Sequence, residues 1–275
     1  MKKKPKLTAQ IFGTMASFFL GIQLLGLWTG WTFFKQEVVK PMPVQTSIIW
    51  FLVAFLIATV ILILLLRFFK GKLLFGALFA FLIFMGSQTV FGAALPALAA
   101  TILALVVVAV RFLVPSILTQ NVAIALAVAG IGAQIGLMLP IAAVLVILLV
   151  LSVYDIIAVY GTKHMVRMFK GFFKRGLMLS IIVPMRISDI GKSVKVKPGR
   201  GRFLILGTGD IAFPVIFSVS ALNFGLRSSF AVIAGSLVGL LAIHFILSRR
   251  RRPIPALPPI ALFSVLGFFI SIICF

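Results

Sequence analysis

Hydrophobic residues run along this chain in long blocks, and polar residues interrupt them only briefly. Nine blocks read as membrane-spanning helices, since a span needs about 20 largely apolar residues at the helical rise. They are residues 8–34, 47–66, 73–91, 95–110, 122–139, 140–160, 203–225, 230–247 and 254–275. The boundary between the third and fourth rests on Gly92-Ala93-Ala94 alone. Gly132 with Gly136, and Gly235 with Gly239, have the small-residue spacing that lets helices approach closely in lipid, and Ser87-Gln88-Thr89 can hydrogen-bond neighbouring helices. The sixth span opens at Pro140, where the missing N–H costs little. Residues 161–202 form the longest segment that does not span. Within it, Leu177 to Val183 is too short to cross a bilayer and reads as an interfacial helix or a strand; Ile181, Ile182 and Val183 favour the strand.

Composition strengthens this reading. Of the 275 residues, 62% are hydrophobic, and the mean hydropathy is +1.26. Soluble domains are about 45–50% apolar. The expected class is therefore an all-α polytopic membrane protein forming one integrated membrane domain. Its parts are a six-helix portion (1–160), a basic loop (161–202) and a three-helix portion (203–275). The lysine-rich start is expected to precede a retained first span, because the apolar block after it is too long for a signal-peptide core.

Lys and Arg number 26 against four acids, for a net charge of +22. Nucleic acid is not the expected partner, because the charge is scattered over short loops without a binding module. Nine spans put 23 of the basic residues on one side and three on the other. The positive-inside bias then makes the N-terminus cytoplasmic and the C-terminus external, with the loops against the lipid surface of a cell membrane. Cys274 is the single cysteine, so no intramolecular disulfide forms.

The four acids are Glu37, Asp155, Asp189 and Asp210. Glu37 and Asp189 read as loop charges. Asp155 and Asp210 lie inside apolar blocks, where an ionisable residue is costly and marks function. Counted from the cytoplasmic ends of their spans at the helical rise, they lie about 7–8 Å and about 10 Å deep. Consecutive antiparallel spans thus bring them to one level. Two carboxyl groups a few ångström apart tend to share a proton, so one serves as base and the other as acid. Gly207 and Gly209 flank Thr208 just before Asp210. They either let a substrate backbone approach or serve helix packing. Pro255-Ala256-Leu257 opens the ninth span on the same side, and its proline keeps backbone groups out of regular helix. A second Pro-Ala-Leu, at 96–98, falls on the opposite face. His164 and His244 lack a cluster of acids or cysteines and read as interfacial or packing residues.

Tyr154-Asp155, Gly207-Thr208-Gly209-Asp210 and Pro255-Ala256-Leu257, in this order and with this spacing, resemble the YD, GxGD and PAL motifs of presenilins and signal peptide peptidases. The segment 153–165 is most similar to archaeal presenilin homologues, and the cytoplasmic N-terminus is presenilin-like. The resemblance implies a presenilin-like fold and an intramembrane aspartyl protease that hydrolyses peptide bonds in transmembrane helices. Asp155 and Asp210 would be its catalytic dyad. Tyr154, Gly207, Thr208, Gly209, Pro255, Ala256 and Leu257 would shape the site. Substrates would be transmembrane proteins or signal peptides, unwound near the scissile bond and pairing with a strand near the start of the seventh span, with residues 180–183 or those around Arg202 as the edge. They would enter near spans 6 and 9 or spans 2 and 6. No metal or organic cofactor is implied. The short N-terminus and compact loop argue against self-cleavage and a need for accessory subunits; a homo-oligomer is compatible with the sequence. Two alternatives explain less of the motif order: a proton- or cation-coupled transporter using the aspartate pair, and a prepilin-type peptidase. A non-catalytic family member is a further alternative that the presence of both aspartates argues against.

Overall fold

Each of the nine apolar blocks contains one helix in the computed structural model, which describes residues 5–37, 43–68, 72–161, 180–184, 203–249 and 255–274. The helices are α1 (Pro5–Lys35), α2 (Val44–Phe68), α3 (Lys72–Gly92), α4 (Ala97–Leu113), α5 (Ile117–Met138), α6 (Ile141–Ile156), α7 (Thr208–Ser220), α8 (Leu226–Arg249) and α9 (Leu257–Cys274). A single π-helical turn, Ile157–Gly161, continues α6. Two strands, β1 (Ser180–Pro184) and β2 (Phe203–Gly207), form an antiparallel sheet with Ser180 opposite Gly207 and Pro184 opposite Phe203. The protein is thus helical with a small two-stranded sheet. The expectations for His164, Asp189 and most of 161–202 concern residues outside those described.

Two boundaries differ from the sequence reading in ways that matter. The seventh block does not start as a helix: its first five residues are β2, and α7 begins at Thr208. A strand rises about 3.3 Å per residue against 1.5 Å in a helix, so the depth calculated for Asp210 does not hold. The fifth helix starts at Ile117, five residues earlier than hydropathy indicated, and includes Gln120 and Asn121. Ser116 caps it: its hydroxyl accepts from Thr119 N at 3.2 Å, and Ser116 N donates to the Thr119 hydroxyl at 3.1 Å. This reciprocal box satisfies two donors at the helix start.

Among the described residues, six helices are long and apolar enough to cross a membrane by themselves: α1, α3, α5, α6 with its π turn, α8 and α9. The apolar stretches in the other three, Ile48–Ala58, Ala97–Leu113 and Thr208–Phe224, are shorter. Large apolar side chains face outward throughout, among them Trp50, Leu56, Leu98, Leu149 and Ile273. That is the surface expected where lipid replaces water.

The buried side chains form two clusters. One joins α1, α3, α5, the sheet, α7, α8 and α9; the other joins α5, α6, α7, α8 and α9. Helix α7 is held between α1 and α5 by one repeated device. Val215 and Val219, one turn apart on α7, fill the space left by Gly26 and Gly30 on α1 and by Gly132 and Gly136 on α5. Four glycines thereby seat one pair of valines, the close approach that Gly132 and Gly136 foretold. Gly235 and Gly239 do the same for α8 and α9, meeting backbone atoms of Phe263 and Ile260. Several buried polar groups pair across helices, though the Ser87 hydroxyl, expected to do so, has no partner among the described residues. The Gln23 amide and Ser236 hydroxyl lie 2.8 Å apart, and Gln134 donates to Thr89 at 2.8 Å.

Candidate active site

Asp155 stands in the last turn of α6, directly before the π turn. Single π turns are often found at functional sites. Its Oδ2 accepts a hydrogen bond from Leu257 N at 3.2 Å. The start of α9 explains why that donor is free. A helix leaves its first four N–H groups without internal partners. In α9 these positions are the capping residue Ala256, then Leu257, Pro258 and Pro259. The two prolines have no N–H, and Ile260 N donates to Ala256 O at 3.5 Å. Ala256 and Leu257 are left: the Asp155 carboxylate accepts from Leu257 N, and the Ala256 N–H lies beside the same group. Helix N-termini favour negative charge. Pro255-Ala256-Leu257 therefore meets Asp155 through its backbone, while the Pro255 and Leu257 side chains are buried.

Asp210 has the same relation to α7. Gly207 is the residue preceding the helix, with φ −63° and ψ 142°, and Asp210 is the third helical residue. An acid at that position reaches back to the capping residue's N–H. Asp210 is placed to do so, with the Gly207 backbone N–H beside its carboxyl group. Both aspartates thus sit at helix N-termini, Asp155 at that of α9 and Asp210 within its own. The two side chains are close enough to interact electrostatically. Both are half-buried.

The two glycines have different jobs. A Cβ on Gly207 would stand 2.9 Å from Asp210 Oδ2, so a side chain there would displace the carboxylate. Gly209 is exposed, and a Cβ there would meet only Phe213 Cε2, at 3.9 Å. Packing does not require glycine at 209; its bare face is open for something else to approach. Thr208, between them, begins α7 and is half-buried. Pro214 lies inside α7 and has no N–H for the Asp210 carbonyl one turn earlier. That carbonyl is left without its usual helical partner.

Tyr154 points elsewhere. Its ring packs edge-on against Phe55 of α2 with centroids 6.1 Å apart, and it is partly exposed. The second Pro-Ala-Leu, at 96–98, starts α4, which packs on α3 and α5. The His244 ring lies 4.3 Å from that of Phe12, a packing contact. Among the described residues no three His, Cys, Asp or Glu side chains gather as a metal site.

Sequence reading overlooked Asn121. Its amide makes two hydrogen bonds to the backbone of Ile182 in β1. The available signal was a pair of amide residues, Gln120-Asn121, beside an apolar run. Gln120 binds Arg111 Nε at 2.5 Å, so both amides are committed inside the protein.

The family model described as signal-peptide peptidase, presenilin aspartyl protease matches residues 17–275. A solved structure of a presenilin family intramembrane aspartate protease, in a C222 crystal form, is 25% identical. That match covers 96% of this chain and 99% of the other, with a TM-score of 0.70. A structure in a P2 form is 26% identical over 95% of this chain and 97% of the other, with a TM-score of 0.69. No curated protein matches the chain by sequence.

Proposed function

The chain belongs to the signal-peptide peptidase, presenilin aspartyl protease family, and from that premise we propose that Asp155 and Asp210 are its catalytic dyad. The protein is an integral, multi-pass membrane protein and an intramembrane aspartic endopeptidase. The observation that carries the dyad assignment is that two carboxyl groups near enough to influence each other both lie at a helix N-terminus, Asp155 accepting from Leu257 N and Asp210 beside the Gly207 N–H. No comparison favours a transporter.

In the proposed reaction one carboxylate takes a proton from water, and the resulting hydroxide attacks the scissile carbonyl. The other carboxyl group polarises that carbonyl and then protonates the leaving amine, so the pair ends with its protons redistributed. Helix-end donors hold the carboxyl groups in place before substrate arrives, the kind of preorganisation that lowers reaction barriers. Leu257, Ala256 and Gly207 act through backbone N–H groups and Pro255 by closing the start of α9. Gly209 and Thr208 line the approach to Asp210, and Tyr154 shapes the α2 side.

Substrates in this reading are transmembrane helices or signal peptides that unwind beside the dyad. The unwound segment adds to β2 as a strand, a common way to bind an extended peptide. Nine spans with the N-terminus cytoplasmic fit the 23-to-3 division of basic residues. The dyad then opens to the cytoplasmic side of a cell membrane, and the chain works without accessory subunits.

The test is proteolysis of a single-span reporter by purified protein in detergent, beside Asp155→Ala and Asp210→Ala. Cleavage by the unaltered chain, lost in both variants while their unfolding temperatures hold, is the expected result. Equal cleavage by either variant overturns the dyad.

A further inference from the structure

Asn121 is 1% exposed, on α5, and one residue of β1 engages both ends of its amide. Its Nδ2 donates to Ile182 O at 2.8 Å, and its Oδ1 accepts from Ile182 N at 2.9 Å. The side chain does for β1 what a third strand would do.

This has a consequence for the whole sheet. In an antiparallel pair, the N–H and C=O of one residue point to the same side, and the side alternates along the strand. The Ile182 groups point to Asn121, so Ile182 and its partner Ile205 are a pair without mutual hydrogen bonds. The same holds two residues away in either direction, at Ser180 with Gly207 and at Pro184 with Phe203. Pro184, which has no N–H, thus occupies a place where the ladder asks for none. Gly207 turns its N–H away from β1, to the side where the Asp210 carboxyl group lies. Ile205 turns its N–H and C=O out along the edge of β2 that no other strand covers among the described residues. With Ile182 held by Asn121, a slip of one residue in the pairing would turn the Ile205 and Gly207 groups inward toward β1.

We propose that Asn121 is a positioning residue: it sets the hydrogen-bonding parity of the two-stranded sheet, aiming the Gly207 N–H at Asp210 and the Ile205 backbone at a substrate segment. Asn121 touches neither dyad nor substrate; it acts through Ile182. It also occupies the outer edge of β1, which leaves the edge of β2, among the described residues, for an extended peptide to add to.

The substrate half of this proposal rests on the protease reading, so the experiment has one arm that needs no activity. Amide hydrogen exchange of residues 180–184 and 203–207 is measured on full-length protein in detergent for wild type, Asn121→Ala, Asn121→Asp and a control, Gln23→Ala. Removing two buried hydrogen bonds should speed exchange in 180–184 by ~10-fold or more in Asn121→Ala. Asn121→Asp keeps an acceptor for Ile182 N and should give a smaller rise. Gln23→Ala, whose partner is on α8, should leave the sheet unchanged. In the second arm, reporter products are identified by mass spectrometry. Asn121→Ala should lower kcat by ~10–100-fold and spread cleavage over neighbouring bonds, while Gln23→Ala keeps the wild-type cleavage position. Unchanged exchange in the sheet overturns the proposal whatever the enzyme does. Faster exchange with the cleavage position and kcat unaltered overturns its substrate half. If wild type cuts no reporter, the fault lies with the protease reading or the substrate, and the exchange arm still decides whether Asn121 orders the sheet.

Discussion

Replacing Gly207 with alanine should separate folding from chemistry. The new methyl carbon would stand 2.9 Å from Asp210 Oδ2 and 3.6 Å from its Cγ. Ordinary non-bonded separation requires the carboxylate to withdraw by roughly 0.5–1 Å. Nothing else is in the way, and the obstructing atom is the free end of a side chain. The structural cost is therefore that of an off-rotamer aspartate, about 0.5–1.5 kcal/mol. Against it stands a gain: at φ −63° and ψ 142° alanine is unstrained, and losing glycine's freedom in the unfolded chain stabilises by about 0.4–1 kcal/mol. The terms nearly cancel, so Tm should move by no more than ~4 °C. The chemistry has no such compensation. Moving a reacting group by about 1 Å can cost ~100-fold in rate. The assay pairs kcat/KM on a single-span reporter with thermal unfolding in the same detergent. A kcat/KM within about threefold of wild type would refute the argument that Gly207 makes room for Asp210. A large fall in Tm alongside lost activity would refute the separation of fold from chemistry.

Three further outcomes are expected. Gly209→Ala meets nothing closer than Phe213 at 3.9 Å, so it should stabilise the helix start by up to ~1 kcal/mol while raising KM for the reporter; an unchanged KM would show that substrate does not approach there. Gly235→Ala pushes a methyl into the Phe263 carbonyl, a backbone atom that cannot rotate aside; parting α8 from α9 should cost about 1–3 kcal/mol, read as a fall of several degrees in Tm. Gln23→Ala should cost only ~0.6 kcal/mol by thermal or denaturant unfolding, because Ser236 retains its 2.7 Å bond to Ile233 O.

Much of this architecture was legible because it is written locally. Each apolar block yields its helix from its own composition. The glycine pairs 132/136 and 235/239 announce close packing by their spacing, and they deliver it. β-branched residues at 181–183 marked β1. Its partner was harder to see: Phe203-Leu204-Ile205-Leu206 is a short apolar run, and such a run looks the same as a strand or as a turn of buried helix. Polar amides at 120 and 121 looked like the outside of a span because hydropathy cannot tell a group facing water from one satisfied inside the protein.

What the amino-acid order determined on its own is where the apolar blocks lie, that two carboxyl groups are placed within them, and that glycines and prolines interrupt the chain beside both. Tertiary structure decided who meets whom. Leu257 reaches Asp155 across 102 residues of chain, and Asn121 reaches Ile182 across 61. Helix and strand preferences arise from neighbours a few residues apart and can be read in order. A hydrogen bond between distant segments exists only once packing has fixed both ends, as the glycine-seated Val215 and Val219 fix the helix that carries Asp210.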